Sequence, residues 1–159
     1  EFISCMPCNA YGPGDHFGLE SSHVVPALIR KAHEAKKNHA ESIVMWGTGL
    51  PVREFIYIDD IASACVFLMG HYTGDECINV GTGTEYTIRE LTQIVCDVVG
   101  FQGKVVNDLG KPDGAPRKLL DSSKIFALGW KPTVSFAEGI QKTYQDFLAN
   151  EEKYLREGN

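Results

Sequence analysis

Hydrophobic and polar positions change period several times along this chain. Residues 2–8 form a short, continuously apolar run that stops at Asn9, Gly12, Pro13 and Gly14. An apolar run bounded by turn formers reads as a strand buried on both faces. Val25, Leu28, Ile29 and Ala32 then follow the i, i+3, i+4, i+7 spacing of one helix face. This predicts a helix from Ser21 to about Lys37, with Ser21 or Ser22 as N-cap and Pro26 in or near the first turn. Ser42–Trp46 and Val52–Tyr57 are short β-rich segments separated by GTGLP, after which Asp59 or Asp60 is placed to cap a helix reaching about Gly70. Residues 77–80 predict another strand. Thr87 and Glu90 precede Leu91, Ile94, Val95 and Val98 as a capping box on an amphipathic helix that ends at Gly100. Residues 104–106 read as a strand, GKPDGAPRK as a loop, Ser122 as the cap of a short helix, and Ser135 with Glu138 as a second capping box.

Alternating short strands and helices, with no internal repeat or linker, predict a single α/β unit. The opening strand is expected to belong to a larger sheet continued upstream, since residues 1–8 carry no initiator methionine, basic n-region or cleavage pattern of a signal peptide. A length of 159 residues suits one domain. A net charge of −6 argues against a nucleic-acid binder, so any anion site has to be local. The longest apolar run, residues 62–69, is interrupted by Ser63 and is far short of the roughly 20 residues that cross a bilayer. Five cysteines, an odd count, suit free thiols and a cytoplasmic location.

Several motifs read as turns or core rather than sites. Cys5 and Cys8 have C-x-x-C spacing, but alternation sends residues three apart to opposite faces of a strand, so core thiols are the expectation. GPGDHF, GTGLPV and GTGTEY begin as G-x-G, yet Phe17, Val52 and Tyr86 stand where the dinucleotide fingerprint needs its third glycine. The adjacent Asp59 and Asp60 read as helix caps. Three segments carry candidate chemistry. On a helical wheel His23 and Arg30 point together, away from the core face, with Lys31 flanking. His23 is thus either a polar-face or capping residue or a general acid/base. WGTGLPVREF joins Trp46 to Arg53 across a turn, an aromatic face beside a planar phosphate fork. KPDGAPRKLLD concentrates Lys111, Asp113, Arg117 and Lys118 in one loop, where an acceptor can meet ribose hydroxyls and a cation phosphate.

PCNAYGPGDHF, SSHVVPALIRKAHEA, WGTGLPVREFIYIDD, INVGTGTEYTIREL and KPDGAPRKLLD closely resemble, in that order, the C-terminal part of the GDP-L-fucose synthase family. These are NADP-dependent 3,5-epimerase–4-reductases of GDP-4-keto-6-deoxymannose within the extended short-chain dehydrogenase/reductase superfamily, of the NAD-dependent epimerase/dehydratase type. N-x-YGP and the paired aspartates mark the superfamily; SHV-x-PALIR, WG-x-G-x-P-x-REF and KPDG-x-PRK are more particular. The resemblance implies that residues 1–159 are one substrate-binding domain, with residues 1–12 as the end strand of a Rossmann domain. It implies His23 as the epimerisation acid/base, and Lys31, Trp46, Arg53 and Asp113 as GDP-sugar contacts, with Arg30 the second choice beside Lys31. It implies Pro7, Cys8, Asn9 and Ala10 as a strand end touching NADP, no metal, and a homodimer. The family's cofactor glycines, Tyr-x-x-x-Lys pair and partner cysteine lie upstream of where this chain begins, and none of its six tyrosines is followed four residues on by lysine. The implied role is therefore the GDP-sugar-binding half of the enzyme. Another nucleotide-sugar epimerase, dehydratase or reductase, or a non-catalytic GDP-sugar module, are the alternatives.

Overall fold

The structure, a computed structural model, describes residues 2–157. In chain order its elements are β1 (Cys5–Pro7), β2 (Asn9–Tyr11), α1 (Val24–Lys37), β3 (Ser42–Trp46), β4 (Val52–Tyr57), α2 (Ile58–His71), β5 (Ile78–Val80), β6 (Glu85–Thr87), α3 (Ile88–Val99), β7 (Lys104–Asp108), β8 (Arg117–Lys118), α4 (Ser123–Ala127), α5 (Phe136–Ala149) and α6 (Glu151–Glu157). Pairing is mostly parallel: β1 with β5, β2 with β4, and β3 with β7, while β4 also takes β6 antiparallel and β8 parallel. The α/β class with parallel sheets is the one expected. No described helix is long and apolar enough to cross a membrane.

The opening strand differs from its reading. It breaks at Cys8, where the chain leaves β5 for β4, and the Cys8 N–H makes the last bond to the first partner, Val80 O, at 3.0 Å. Pro7, with no N–H to give a ladder, sits at that break. Nor is the run buried on both faces: Phe2 is fully exposed and Met6 half-exposed. The caps of α1 and α2 also differ. Helix α1 starts at Val24 with His23 in the cap position, because the Ser22 hydroxyl donates back to Gly18 O and the Ser21 hydroxyl pairs with His16 Nε2 at 2.7 Å. Helix α2 follows Tyr57, with both aspartates inside its first turn. Asp60 is buried and accepts the Thr133 N–H and hydroxyl, each at 2.9 Å, and the Val134 N–H at 3.1 Å. It secures the chain ahead of α5 instead of capping α2.

The Thr87–Glu90 capping box is present on both sides, with Glu90 N–H to Thr87 Oγ1 at 3.1 Å and Thr87 N–H to Glu90 Oε2 at 2.8 Å, and Gly100 closes α3 at φ 76°. Before α4 the Ser122 hydroxyl makes no cap; Asp121 Oδ1 accepts the Ser123 N–H at 2.9 Å instead. Ser135 accepts the Glu138 N–H at 3.4 Å, but the Glu138 carboxylate pairs with Lys142 at 2.9 Å.

Val25, Leu28, Ile29 and Ala32 of α1 are all buried, against Leu91, Val95 and Val99 of α3 and Ile140 and Phe147 of α5. Apart from Ala32, each such side chain contributes about 1.5–3 kcal/mol on burial. A second cluster, Ile56, Leu68, Ile78, Val80 and Ile125, joins α2 to β5 and α4. Between them runs β4, whose fully buried Glu54 accepts the Thr82 and Gly83 N–H groups at 2.7 Å and the Leu120 N–H at 3.2 Å. A buried carboxylate persists only when its lone pairs are met in this way. Glu54 thereby fixes β4 against two turns, and β4 carries Arg53 and Phe55 into the cavity described next.

Candidate active site

A cavity of about 660 Å³ opens between the chain from Cys8 to Asp15, the start of α1, the end of β3, strand β4 and the KPDG loop. His23 reaches it from the cap position of α1, and its side chain makes no capping hydrogen bond, so the imidazole is free of that structural task. Trp46, the last residue of β3, forms another wall, with the Lys31 and Lys111 ammonium groups 4.8 and 4.5 Å from its ring centre. Such distances are those of cation–π contacts. Lys31 Nζ also donates to Val44 O at 3.3 Å. Burial draws the Lys31 ammonium below its ordinary pKa; Glu20 and Asp108 oppose this and Lys111 adds to it.

Arg53 Nη1 donates to Val52 O at 2.8 Å, and the guanidinium has no carboxylate partner among the described residues. A partly buried fork of five donors with one carbonyl to meet is suited to an anion. Asp113 is held otherwise than expected. Its oxygens accept the Thr48 N–H at 2.7 Å and the Thr48 hydroxyl at 2.8 Å. Its first effect is thus to fasten the KPDG loop over the turn at Gly47, where φ is 72° and a Cβ would stand 2.2 Å from Asp113 Oδ1.

Cys8, Asn9 and Ala10 line the same cavity, with the Asn9 amide donating to Glu54 O at 2.6 Å. Burial, with Glu54 nearby, pushes the Cys8 thiol up to about 12, so it is neutral at ordinary pH. Pro7 lies in β1 opposite Val80 and is not on the cavity wall. Arg30 is also elsewhere: it is buried, with Nε on Glu34 Oε1 at 2.7 Å and Nη1 on Phe17 O at 3.1 Å. The wheel turns it away from the core face beside His23, but two turns further along the helix Phe17 and its loop cover it, and Phe17 packs on Phe147 and Tyr154. The fold brings His23, Trp46, Arg53, Asp113 and residues 8–10 to one cavity, reaches Lys31 through Trp46, and leaves out Pro7 and Arg30.

The loop Gly12-Pro13-Gly14-Asp15 is part of the wall that the sequence reading missed. Burial raises the Asp15 carboxyl above its usual range, the His16 N–H and the charges of His23 and His16 opposing. A glycine turn at the carboxyl end of a parallel strand was the available signal, since ligands of open α/β sheets gather there. The apolar remainder, Val24, Val25, Phe55, Ile58 and Ile88, has no signal distinguishing it from core.

Known proteins resemble this chain in sequence and fold. A family model described as the NAD dependent epimerase/dehydratase family matches residues 1–81. GDP-L-fucose synthase 1 of Arabidopsis thaliana is 57% identical over 148 residues, 93% of this chain and 46% of that protein. GDP-L-fucose synthase of Escherichia coli K12 is 46% identical over 163 residues, 97% of this chain and 51% of that protein. The crystal structure of a GDP-L-fucose synthetase from Naegleria fowleri bound to NADP superposes with a TM-score of 0.89 at 34% identity, over 95% of this chain and 48% of that one. The chain spans about half the length of the curated relatives it matches. The family pattern runs from β1 through β5 and takes in the strand end, loop, histidine and arginine of the cavity, and the chain belongs to the NAD dependent epimerase/dehydratase family.

Proposed function

We propose that this chain is the GDP-sugar-binding part of a GDP-L-fucose synthase, which converts GDP-4-keto-6-deoxy-D-mannose to GDP-L-fucose by 3,5-epimerisation and NADPH-dependent 4-reduction. The observation that carries this reading is the single cavity in which His23 faces a cationic and aromatic wall made by Arg53 and by Trp46 with Lys31 and Lys111. On a protein of net charge −6 that wall is a local anion site. Arg53 grips the diphosphate as a fork, Lys31 and Lys111 add charge, and Trp46 offers a flat face to base or sugar. Asp113 holds the loop that closes over them.

The 4-ketone acidifies the C–H bonds at C3 and C5. Inversion requires a base to remove the proton from one face and an acid to return one to the other, and His23 supplies the proton to carbon. NADPH, when bound, supplies the hydride that reduces C4. Cys8, Asn9 and Ala10 fit only the border of such a cofactor, as main chain and small side chains on the cavity wall. Among the described residues no G-x-G turn opens directly into a helix able to hold a pyrophosphate: Gly12 and Gly14 lead into the irregular chain ahead of α1, Gly47 and Gly49 into β4, and Gly81 and Gly83 into β6. The cofactor's phosphates thus belong to the further length that the relatives possess. Residues 1–12 as the edge of that domain, a homodimer and a cytoplasmic location belong to the same proposal.

The test uses an enzyme of the relatives' full length that carries this chain. Incubation of GDP-4-keto-6-deoxymannose in heavy water without NADPH is expected to place deuterium at C3 and C5. His23→Gln should slow that exchange by roughly 10²–10⁴-fold, the usual scale for a general acid/base, while leaving GDP affinity near wild type. Absence of exchange in the wild type overturns the assigned reaction, and wild-type exchange in His23→Gln overturns the histidine's role.

A further inference from the structure

The fold brings together two thiols that lie far apart in the chain. Cys5 in β1 and Cys65 in α2 are 60 positions apart in sequence, yet their sulfurs lie 3.9 Å from one another. Cys8, which shares the C-x-x-C spacing with Cys5, is instead on the cavity wall, and Cys96 belongs to the other core cluster. We propose that Cys5 and Cys65 are a reversible dithiol–disulfide site that a peroxide closes.

Three observations support the pairing. A disulfide needs its sulfurs at about 2.05 Å, so these two have to approach by roughly 2 Å, within the reach of side-chain rotation about Cα–Cβ. Both residues are half-buried among the described residues rather than sealed. Cys5 packs on the cluster containing Ala64 and Leu68, one position before and three after Cys65 on α2, so strand and helix are already in contact where the bridge would form. Burial, with Cys65 and then Cys77 nearby, raises the Cys5 thiol above its ordinary pKa. Cys5 is therefore a neutral thiol at rest, packed as a small apolar side chain.

The chemistry balances with hydrogen peroxide as oxidant. One sulfur takes an oxygen from the peroxide, whose O–O bond breaks, giving a sulfenic acid and one water. The second sulfur then displaces that oxygen as a second water, forming the S–S bond. Two thiols are oxidised and one peroxide is reduced. A small dithiol reverses the step by exchange. The bridge would close a loop containing residues 8–15, His23, Lys31, Trp46 and Arg53, nearly the whole cavity wall. Such a link removes freedom from the unfolded chain across the segment that builds the site.

The experiment treats the native chain with a few equivalents of hydrogen peroxide, blocks remaining thiols with N-ethylmaleimide, and maps the unreduced digest by mass spectrometry. The expected result is a Cys5–Cys65 linked peptide as the main bridged species, 2 Da lighter than the two reduced peptides together and abolished by dithiothreitol. Cys77→Ser should keep it and Cys65→Ser should lose it. The same treatment in denaturant should scatter the pairing among the five cysteines. The proposal is overturned if Cys5 joins mainly Cys8 or Cys77, if native and denatured chains give the same pairings, or if Cys5 and Cys65 stay open to alkylation at a dose that consumes the exposed Cys77 thiol.

Discussion

Replacing Arg53 by alanine isolates the anion-binding part of the cavity from everything else. Among the described residues the guanidinium makes one hydrogen bond within the chain, to the carbonyl of Val52, so its loss should cost the fold no more than about 1.5–3 kcal/mol and leave it intact. The loop above it tolerates the change as well: Gly114, at φ 74°, passes where even an added Cβ would stand 3.5 Å from Nη2. Toward a diphosphate, the same substitution removes charge-assisted hydrogen bonds worth about 1.5–3 kcal/mol. At about 1.4 kcal/mol per tenfold, the Kd for GDP should rise roughly 10- to 150-fold. Titration calorimetry can measure this, and quenching of Trp46 gives a second signal, because it is on the cavity wall whereas Trp130 is buried in the other cluster. Guanosine, which has no phosphate, is the control and should bind both proteins alike. The wild-type preference for GDP over guanosine should shrink with added salt, and that salt dependence should weaken in the variant. If folded Arg53→Ala binds GDP as the wild type does, or loses guanosine and GDP equally, Arg53 does not hold the diphosphate.

Two further outcomes follow from the walls of the cavity. Gly47→Ala puts a Cβ at φ 72° and against Asp113 Oδ1, so it should cost on the order of 1–3 kcal/mol, lower the melting temperature and weaken GDP binding by loosening the KPDG loop; an unchanged melting curve and Kd would remove Asp113 from its fastening role. Asp15→Asn should raise the melting temperature at pH 7. Burial lifts the folded-state pKa of Asp15, so ionised Asp15 weakens the native state above that pKa, and the gain should fade as pH falls through it and the wild-type carboxyl also becomes neutral. Asparagine keeps an acceptor for the His16 N–H, which Asp15 Oδ1 now meets at 2.8 Å, so a lower melting temperature at pH 7 would contradict the burial argument.

What could be read from the sequence follows the range of the interactions involved. The buried face of α1 and the Thr87–Glu90 box were legible because each is settled within one or two helical turns. Ser21 and Ser22 were good caps by type, but their hydroxyls met His16 and Gly18 in an irregular loop that periodicity does not describe. Strands β6 and β8, of three and two residues, exist because β4 is beside them; nothing in so short a run announces a strand. The site divides along the same line. His23, Trp46 and Arg53 could be singled out as chemical types, whereas their convergence depends on parallel pairings between distant strands. Asp113 meets Thr48 across 65 positions and Cys5 meets Cys65 across 60, so neither spacing resembles a motif. Arg30 shows the converse: the wheel turned it away from the core face, and Phe17, 13 positions away, buries it. A one-dimensional pattern reports which element a residue occupies and which way it points. What waits there is set by loop closures whose entropic cost the whole core has to offset, and that balance is a property of the chain rather than of any segment.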